Sequence, residues 1–330
     1  MINLKCKICG NEENNEIFKV KEMMFGTKEV FDYFECNSCG CLQIIDVPPD
    51  IERYYSDEEY YSFDKLRKVR NTLTKFIRIK RNEYILFNQG RLGKLVNEIF
   101  PHPGDSIFYV LNDVDLKRDC KILDVGCGNG AFLYYLRELG FNNLTGIDPY
   151  ISKEIIGEDL KIFRISIQEI PDDAKFDLVI FNHSLEHLSH PSETISKLSE
   201  ILSEKGLCII RMPVKNDYIW DLYGTSWMQI DAPRHFYIHT TQSFQTLLNE
   251  SNLEIKKIVF DSSEYQFYAS EQIKKDIPLI SERSYLINPN KSVFTKKQIQ
   301  EYKKKAKELN DKNMGDQAIF FIKKAPIGKG

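Results

Sequence analysis

The stretch that most constrains this chain runs from Lys121 to Pro149. An apolar strand pattern, Lys121 to Val125, enters a loop holding Gly126, Gly128 and Gly130, and an apolar helix pattern (Ala131, Leu133, Tyr134, Leu136) follows. Glycines at these places allow a sharp turn and let backbone N–H groups approach a ligand with no Cβ in the way. The spacing predicts a βα unit opening on a ligand, with Leu144 to Ile147 as the next strand.

With Ala131 in the last place the spacing also fits a dinucleotide fingerprint, so two cofactors compete. Asp124, two residues before the first glycine, separates them: its carboxylate would repel a pyrophosphate but suits a ligand carrying an ammonium group. Asp148 can accept from two ribose hydroxyls. The pair fits S-adenosylmethionine.

Asp124 to Gly130, Asp-Val-Gly-Cys-Gly-Asn-Gly, resembles the first motif of the class I adenosylmethionine-dependent methyltransferases. That resemblance implies an α/β, Rossmann-like seven-stranded sheet with an antiparallel last strand. It places Asp124, Gly126, Gly128 and Gly130 on the amino-acid end of the cofactor, Asp148 on the ribose and Ile167 and Gln168 at the adenine, with Cys127, Pro149 and Asn182 as further cofactor-binding candidates. Where many members have an acidic residue after strand three, this chain has Ser166. Strands alternating with helices (Lys161 to Ile165, Phe176 to Phe181, a helix Ser192 to Ser203, Leu207 to Met212) predict a parallel sheet, closed by Leu253 to Phe260, a charged helix Thr295 to Asn310, and Gln317 to Lys323.

Four of the eight cysteines form Cys6-x-x-Cys9 and Cys36-x-x-Cys39, each followed by glycine. Two such knuckles bring four thiolates to one tetrahedral ion with no open position, which predicts a structural zinc in a small ribbon-like module. Cys41 is given no role. The expected division is a zinc module over 1–46, an aromatic connector and helical linker over 47–118, and a methyltransferase domain over 119–330 with a substrate lid at 213–240. In the connector, Tyr54, Tyr55, Tyr60, Tyr61 and Phe63 cluster, and Lys65 to Arg81 carries eight basic residues among apolar ones at helical spacing. Such a helix is a solvated linker face or a peripheral membrane contact. A further helix is expected from Gly90 to Phe100, ended by Pro101-His-Pro-Gly104. A net charge of −3 and the lack of an aromatic base-stacking motif at Asn182 argue against a nucleic-acid substrate. With no charged-then-apolar start and no long uncharged apolar run, the chain reads as soluble and cytoplasmic.

After strand four, Asn182-His-Ser-Leu-Glu-His187 would put His183, Glu186 and His187 on one helix face. Three readings stand: a histidine, His187 ahead of His183 and with His235 next, as general base without added divalent metal; a metal site, because the segment resembles the Glu-x-x-Glu-His site of quinone-biosynthesis O-methyltransferases; or plain packing. In the lid, Trp220, Trp227, Arg234 and Tyr237 suit a glycosyl phosphate, aromatic planes meeting sugar faces and a guanidinium meeting phosphate. The whole pattern resembles methyltransferases of surface-polysaccharide clusters and, at Cys36 to Gln43, deoxysugar C-methyltransferases. It implies O-methylation of a sugar, nucleotide-sugar or lipid-linked glycan hydroxyl. The rivals are a metal-dependent O-methyltransferase of a quinone-like molecule, a sugar C-methyltransferase, an RNA methyltransferase, and an adenosylmethionine-binding assembly factor without turnover.

Overall fold

The computed structural model describes residues 4–55, 72–100, 106–112, 114 and 116–326. Tyr60, Tyr61 and Phe63, the basic residues Lys65 to Arg70, and Pro101 to Gly104 lie outside the described residues. In chain order the regular elements begin with β1 (Glu16–Lys21), β2 (Val30–Glu35), β3 (Leu42–Ile44), α1 (Thr72–Phe87), α2 (Arg91–Ile99) and α3 (Ser106–Leu111). Then come β4 (Ile122–Val125), α4 (Ala131–Glu138), β5 (Leu144–Ile147), β6 (Ile155–Ile156), β7 (Leu160–Phe163), β8 (Phe176–Asn182), α5 (Pro191–Ile201) and β9 (Leu202–Pro213). The last are α6 (Asp217–Tyr223), β10 (Tyr237–Ile238), α7 (Thr241–Asn249), β11 (Leu253–Phe260), α8 (Tyr265–Lys274), α9 (Lys296–Asp311) and β12 (Gln317–Lys324).

The main sheet has the order β11-β12-β9-β8-β4-β5-β7-β6. β4 pairs in parallel with both β5 and β8, and β5 with β7, as crossover helices require. β12 runs antiparallel to β11. This is the expected class I methyltransferase arrangement with one addition: the two-residue β6, antiparallel to β7, makes eight strands where seven are expected. Two residues are too short a run for alternation to reveal. The four residues of β4 are all buried, as an apolar run in a central parallel strand should be.

The chain divides into two compact units, residues 1–57 with 183–199 and 210–330, and residues 58–182 with 200–209. The division differs from the expected boundaries, since the N-terminal module shares its unit with the supposed lid. A second sheet, β1-β2-β3-β10, explains why: β3 pairs antiparallel with β10, so Leu42 meets Ile238 and Gln43 meets Tyr237. Tyr33 Oη donates to the His235 carbonyl at 2.9 Å, and Lys215 Nζ reaches Glu35 Oε1 at 2.7 Å.

Three of the four residues expected to meet substrate in the lid are buried in the core. Trp227 and Arg234 are among the largest fully buried side chains, and Tyr237 is buried. Trp227 Nε1 donates to Asp316 Oδ2 at 2.9 Å, and Tyr237 Oη to the Ser189 carbonyl at 3.1 Å. Arg234 gives its guanidinium to Asp231 and to Glu22, which is fully buried beside it. Only Trp220 is half-buried, edge-on to Phe18 and under Lys215. Aromatic and charged residues suggest substrate contacts, but their partners are intramolecular, and Asp316, Ser189 and Glu22 are distant in sequence.

Burial raises the Asp316 carboxyl to about 6, against the opposing hydrogen bonds from Trp227 and Ser262. A raised folded-state value favours the folded protein below the unfolded value near 4 and is lost as pH rises through 6, so the ionised group costs stability at neutral pH. Asp316→Asn keeps an acceptor for Trp227 without the charge. Urea unfolding should therefore show the variant gaining on the wild type between pH 4 and pH 7, by at most about 3 kcal/mol. Equal differences at the two pH values would count against it.

Candidate active site

The glycine loop belongs to the unit of residues 58–182. Gly126 and Cys127 donate their N–H groups to the Ile147 carbonyl at 2.8 and 3.1 Å, which folds the loop back over the end of β5. Gly126, Gly128 and Gly130 have φ of 74°, 52° and 76°. At Gly130 a Cβ would also lie 2.2 Å from Ile162 Cδ1, so conformation and space both demand glycine. Asp148 ends β5 with a buried carboxylate fixed from two sides: Gly128 N–H donates to Oδ2 at 3.0 Å and Tyr150 N–H to Oδ1 at 2.8 Å. One bond to each oxygen leaves acceptor capacity on both, as a vicinal diol needs. Asp124 is buried in β4, opposite Gly146. Burial and the charges of Asp124 and Asp148 push the Cys127 thiol up, so it stays protonated. After β7, Ser166 caps a short turn through Glu169, with Ile167 buried and Gln168 exposed. Pro149 is exposed, its carbonyl accepting from Arg164 Nε, and Asn182 is half-buried.

The histidine cluster belongs to the other unit. No α-helix starts at His183. The residue takes φ 53°, rare for a non-glycine, and Leu185 to His187 make a single 3-10 turn, so the expected shared helix face does not form. His183 Nδ1 lies 3.2 Å from Glu186 Oε1, and its side chain remains 28% accessible. Burial would raise the Glu186 carboxyl, but the hydrogen bond and charge of His183, with His187 and His235 nearby, hold it at about 2. The other oxygen, Oε2, is buried without a hydrogen-bond partner among the described residues. His187 Nδ1 donates to the Arg234 carbonyl at 2.9 Å, with Tyr55 Oη 3.0 Å from the same nitrogen, and His235 Nδ1 donates to the Gln229 carbonyl at 2.7 Å. Each ring thus keeps Nε2 as an acceptor. Burial, then the neighbouring His235, lower His187 to about 4. The rings sit 4.7 Å apart. Ligand atoms of Glu186, His187 and His235 lie within 4.8 Å of one another, a grouping in which His235 takes the place expected for His183.

A family model described as a methyltransferase domain matches residues 84–258, more than half of the chain. The chain belongs to that family. Among curated proteins, the ubiquinone biosynthesis O-methyltransferase of Rickettsia typhi is 27% identical over 188 residues, covering 51% of this chain and 76% of that protein. The protein of the same description from Rickettsia bellii is 25% identical over 201 residues, covering 56% and 79%. Among solved structures, the O-methyltransferase from the trans-AT PKS multienzyme of Brevibacillus brevis, in complex with S-adenosyl-L-homocysteine, is 17% identical, covers 63% of this chain and 67% of that one, and superposes with a TM-score of 0.39.

The enzyme is an S-adenosylmethionine-dependent methyltransferase. The cradle fits the cofactor: the Gly130 position excludes a Cβ, and Asp148 keeps acceptor capacity. In the N-terminal module of this methyltransferase, Cys6 Sγ lies 3.7 Å from Cys39 Sγ and Cys9 Sγ 3.5 Å from Cys36 Sγ, and all four lie within 4.8 Å of one another. A tetrahedral ion with bonds of about 2.3 Å needs edges of roughly 3.8 Å. Gln43 Nε2 donates to Cys6 Sγ at 3.0 Å. The Cys6 thiol is lowered by hydrogen bonds, first from Cys39, then from the Cys9 and Ile8 N–H groups and Gln43, which outweigh burial. All eight cysteines are free of disulfides, so these four could hold a metal.

Two outcomes are expected. Asp148→Ala should weaken S-adenosylmethionine binding about ten- to a hundredfold by calorimetry. An unchanged affinity would remove Asp148 from the cofactor site. Purified protein should carry about one zinc per chain by elemental analysis, and Cys36→Ser should lose most of it; a variant retaining full metal would rule out the four-thiolate site.

Proposed function

We propose that the enzyme methylates a hydroxyl oxygen of a small-molecule acceptor, with His183 as general base, and that Cys6, Cys9, Cys36 and Cys39 hold a structural zinc. The observation that carries this reading is the His183–Glu186 pair. Glu186 Oε1 fixes the Nδ1–H of an accessible imidazole, and the fixed tautomer leaves Nε2 free to take a proton. S-adenosylmethionine, when bound, supplies a methyl group activated by its sulfonium. Asp124 and the glycines would hold its amino-acid end and Asp148 its ribose, while the acceptor's proton moves to His183 Nε2 as its oxygen forms the new bond. His187 is a poor base because burial lowers it to about 4. The relatives' O-methyltransferase descriptions support oxygen over carbon or nitrogen. A glycosyl phosphate has less support than the sequence suggested, since Arg234, Trp227 and Tyr237 are committed to the core.

A second reading has its own observation. Glu186 Oε2 is a buried acceptor with no hydrogen-bond partner among the described residues. A carboxylate oxygen of Glu186 lies within 4.8 Å of ligand nitrogens of His187 and His235, whose Nδ1 atoms rest on backbone carbonyls. That donor set fits a divalent cation, which would polarise an acceptor oxygen. The two readings separate cleanly. His183→Ala should bind the cofactor normally yet turn over roughly 10²–10⁴-fold more slowly with hydroxylated acceptors, and activity should survive chelation. If a chelator abolishes turnover, magnesium restores it and His235→Ala is as damaging as His183→Ala, the metal reading replaces the base.

A further inference from the structure

The helix α2 is turned with its apolar stripe outward. Gly93 is buried, and a Cβ there would lie 2.2 Å from the Lys80 carbonyl oxygen and 2.7 Å from Tyr84 Cβ, so the Gly93 side of α2 is the one pressed against α1. At 100° per residue, Leu92, Leu95 and Ile99 fall together on a stripe well away from that contact. They are 50%, 52% and 60% exposed, and Phe100 after them 65%. Leu73 and Phe76 on α1 and Tyr109 on α3 are also exposed, so seven of the seventeen exposed large apolar side chains among the described residues fall between residues 73 and 109. Monomeric surfaces rarely gather apolar side chains in this way without a use.

Charge decides the occupant. The chain as a whole carries −3, whereas residues 72–100 hold six basic residues and two acidic ones. Arg78 is taken up by Glu138 and Lys80 by Glu83, but Arg91 and Lys94 are exposed on the Leu95 side of α2, Arg91 next to the apolar stripe and Lys94 further round, with Glu98 as the one acid between them. An apolar stripe with cations along one edge is the pattern of a helix lying in the plane of a bilayer, its aliphatic side chains among the acyl chains and its cations at anionic headgroups. No helix of the described residues is long and apolar enough to cross a membrane. We propose that the α1–α2 hairpin docks the enzyme peripherally on an anionic lipid bilayer through Leu92, Leu95, Ile99 and Phe100, with Arg91 and Lys94 choosing the headgroup charge.

Co-sedimentation with vesicles tests this. The full-length protein should pellet with phosphatidylcholine vesicles containing phosphatidylglycerol and much less with phosphatidylcholine alone. Leu95→Glu with Ile99→Glu should lower the partition at least about tenfold, because two buried side chains are lost. Arg91→Glu with Lys94→Glu should abolish the preference for the anionic vesicles. Both pairs lie on the exposed side of α2, so unfolding temperature and cofactor affinity should match the wild type and certify the fold. Failure to pellet with the anionic vesicles, or equal pelleting of the Leu95→Glu, Ile99→Glu variant, would overturn the proposal. So would a wild-type dimer seen by light scattering that the same variant dissolves while vesicle binding is absent; the stripe would then belong to a second copy of the chain.

Discussion

A guanidinium with no access to water ties the start of this chain to residues more than two hundred positions later. Arg234 is fully buried, and its charge is met by Asp231 on its own loop and Glu22 from the N-terminal module, while the backbone N–H groups of Met24, Phe25, Gly26 and Thr27 converge on the Glu22 carboxylate. Such a network contributes little if compared with apolar packing, yet removing one partner leaves a buried charge and costs about 3–5 kcal/mol. Its value lies in geometry. The Arg234 carbonyl receives His187 Nδ1, Phe236 N–H donates to the Glu186 carbonyl, and His235 follows directly. Glu186, His187 and His235 are therefore placed by a clasp that reaches back to residue 22.

Much of the fold is legible in the residues. β11 has the expected bounds, β4 and β5 follow from apolar runs ending in glycine or aspartate, and the paired cysteine knuckles foretell the thiol cluster. These are local signals, where spacing alone fixes what neighbours do. The misreadings share the opposite cause. Trp227, Arg234 and Tyr237 look like a binding surface because aromatic and charged residues serve binding and buried polar packing alike, and only Asp316, Glu22 and Ser189 reveal which. Spacing at i, i+3 and i+4 suggests a helix face at His183, but a positive φ and a three-residue turn replace it. His235 joins Glu186 and His187 through the fold, and Tyr55 reaches His187 the same way; no local pattern announces either.

The cofactor loop and the histidine cluster rest on different physics. The cofactor loop is backbone chemistry: positive φ values, N–H groups turned to Ile147, and a carboxylate braced by Gly128 and Tyr150. Its tolerance to substitution is low because a single Cβ at position 130 has nowhere to go. The histidine cluster is side-chain chemistry, in which one carboxylate gives Oε1 to His183 and keeps Oε2 buried without a hydrogen-bond partner among the described residues.

The β3–β10 ladder has a consequence for how the chain is made. Thr240 Oγ1 donates to the Cys39 carbonyl and Tyr33 Oη to the His235 carbonyl, across separations of 201 and 202 residues. On a ribosome adding about 5–20 residues each second, the first strands wait on the order of ten seconds or more for the segment that completes their sheet. Through that interval β1 to β3 present an unpaired edge and Glu22 has no guanidinium to meet. An ion at the proposed four-thiolate site would be a stabilising element that those early residues can assemble by themselves. The module would then act as a nucleus kept ready for a late arrival, and metal supply during synthesis would govern the yield of folded enzyme.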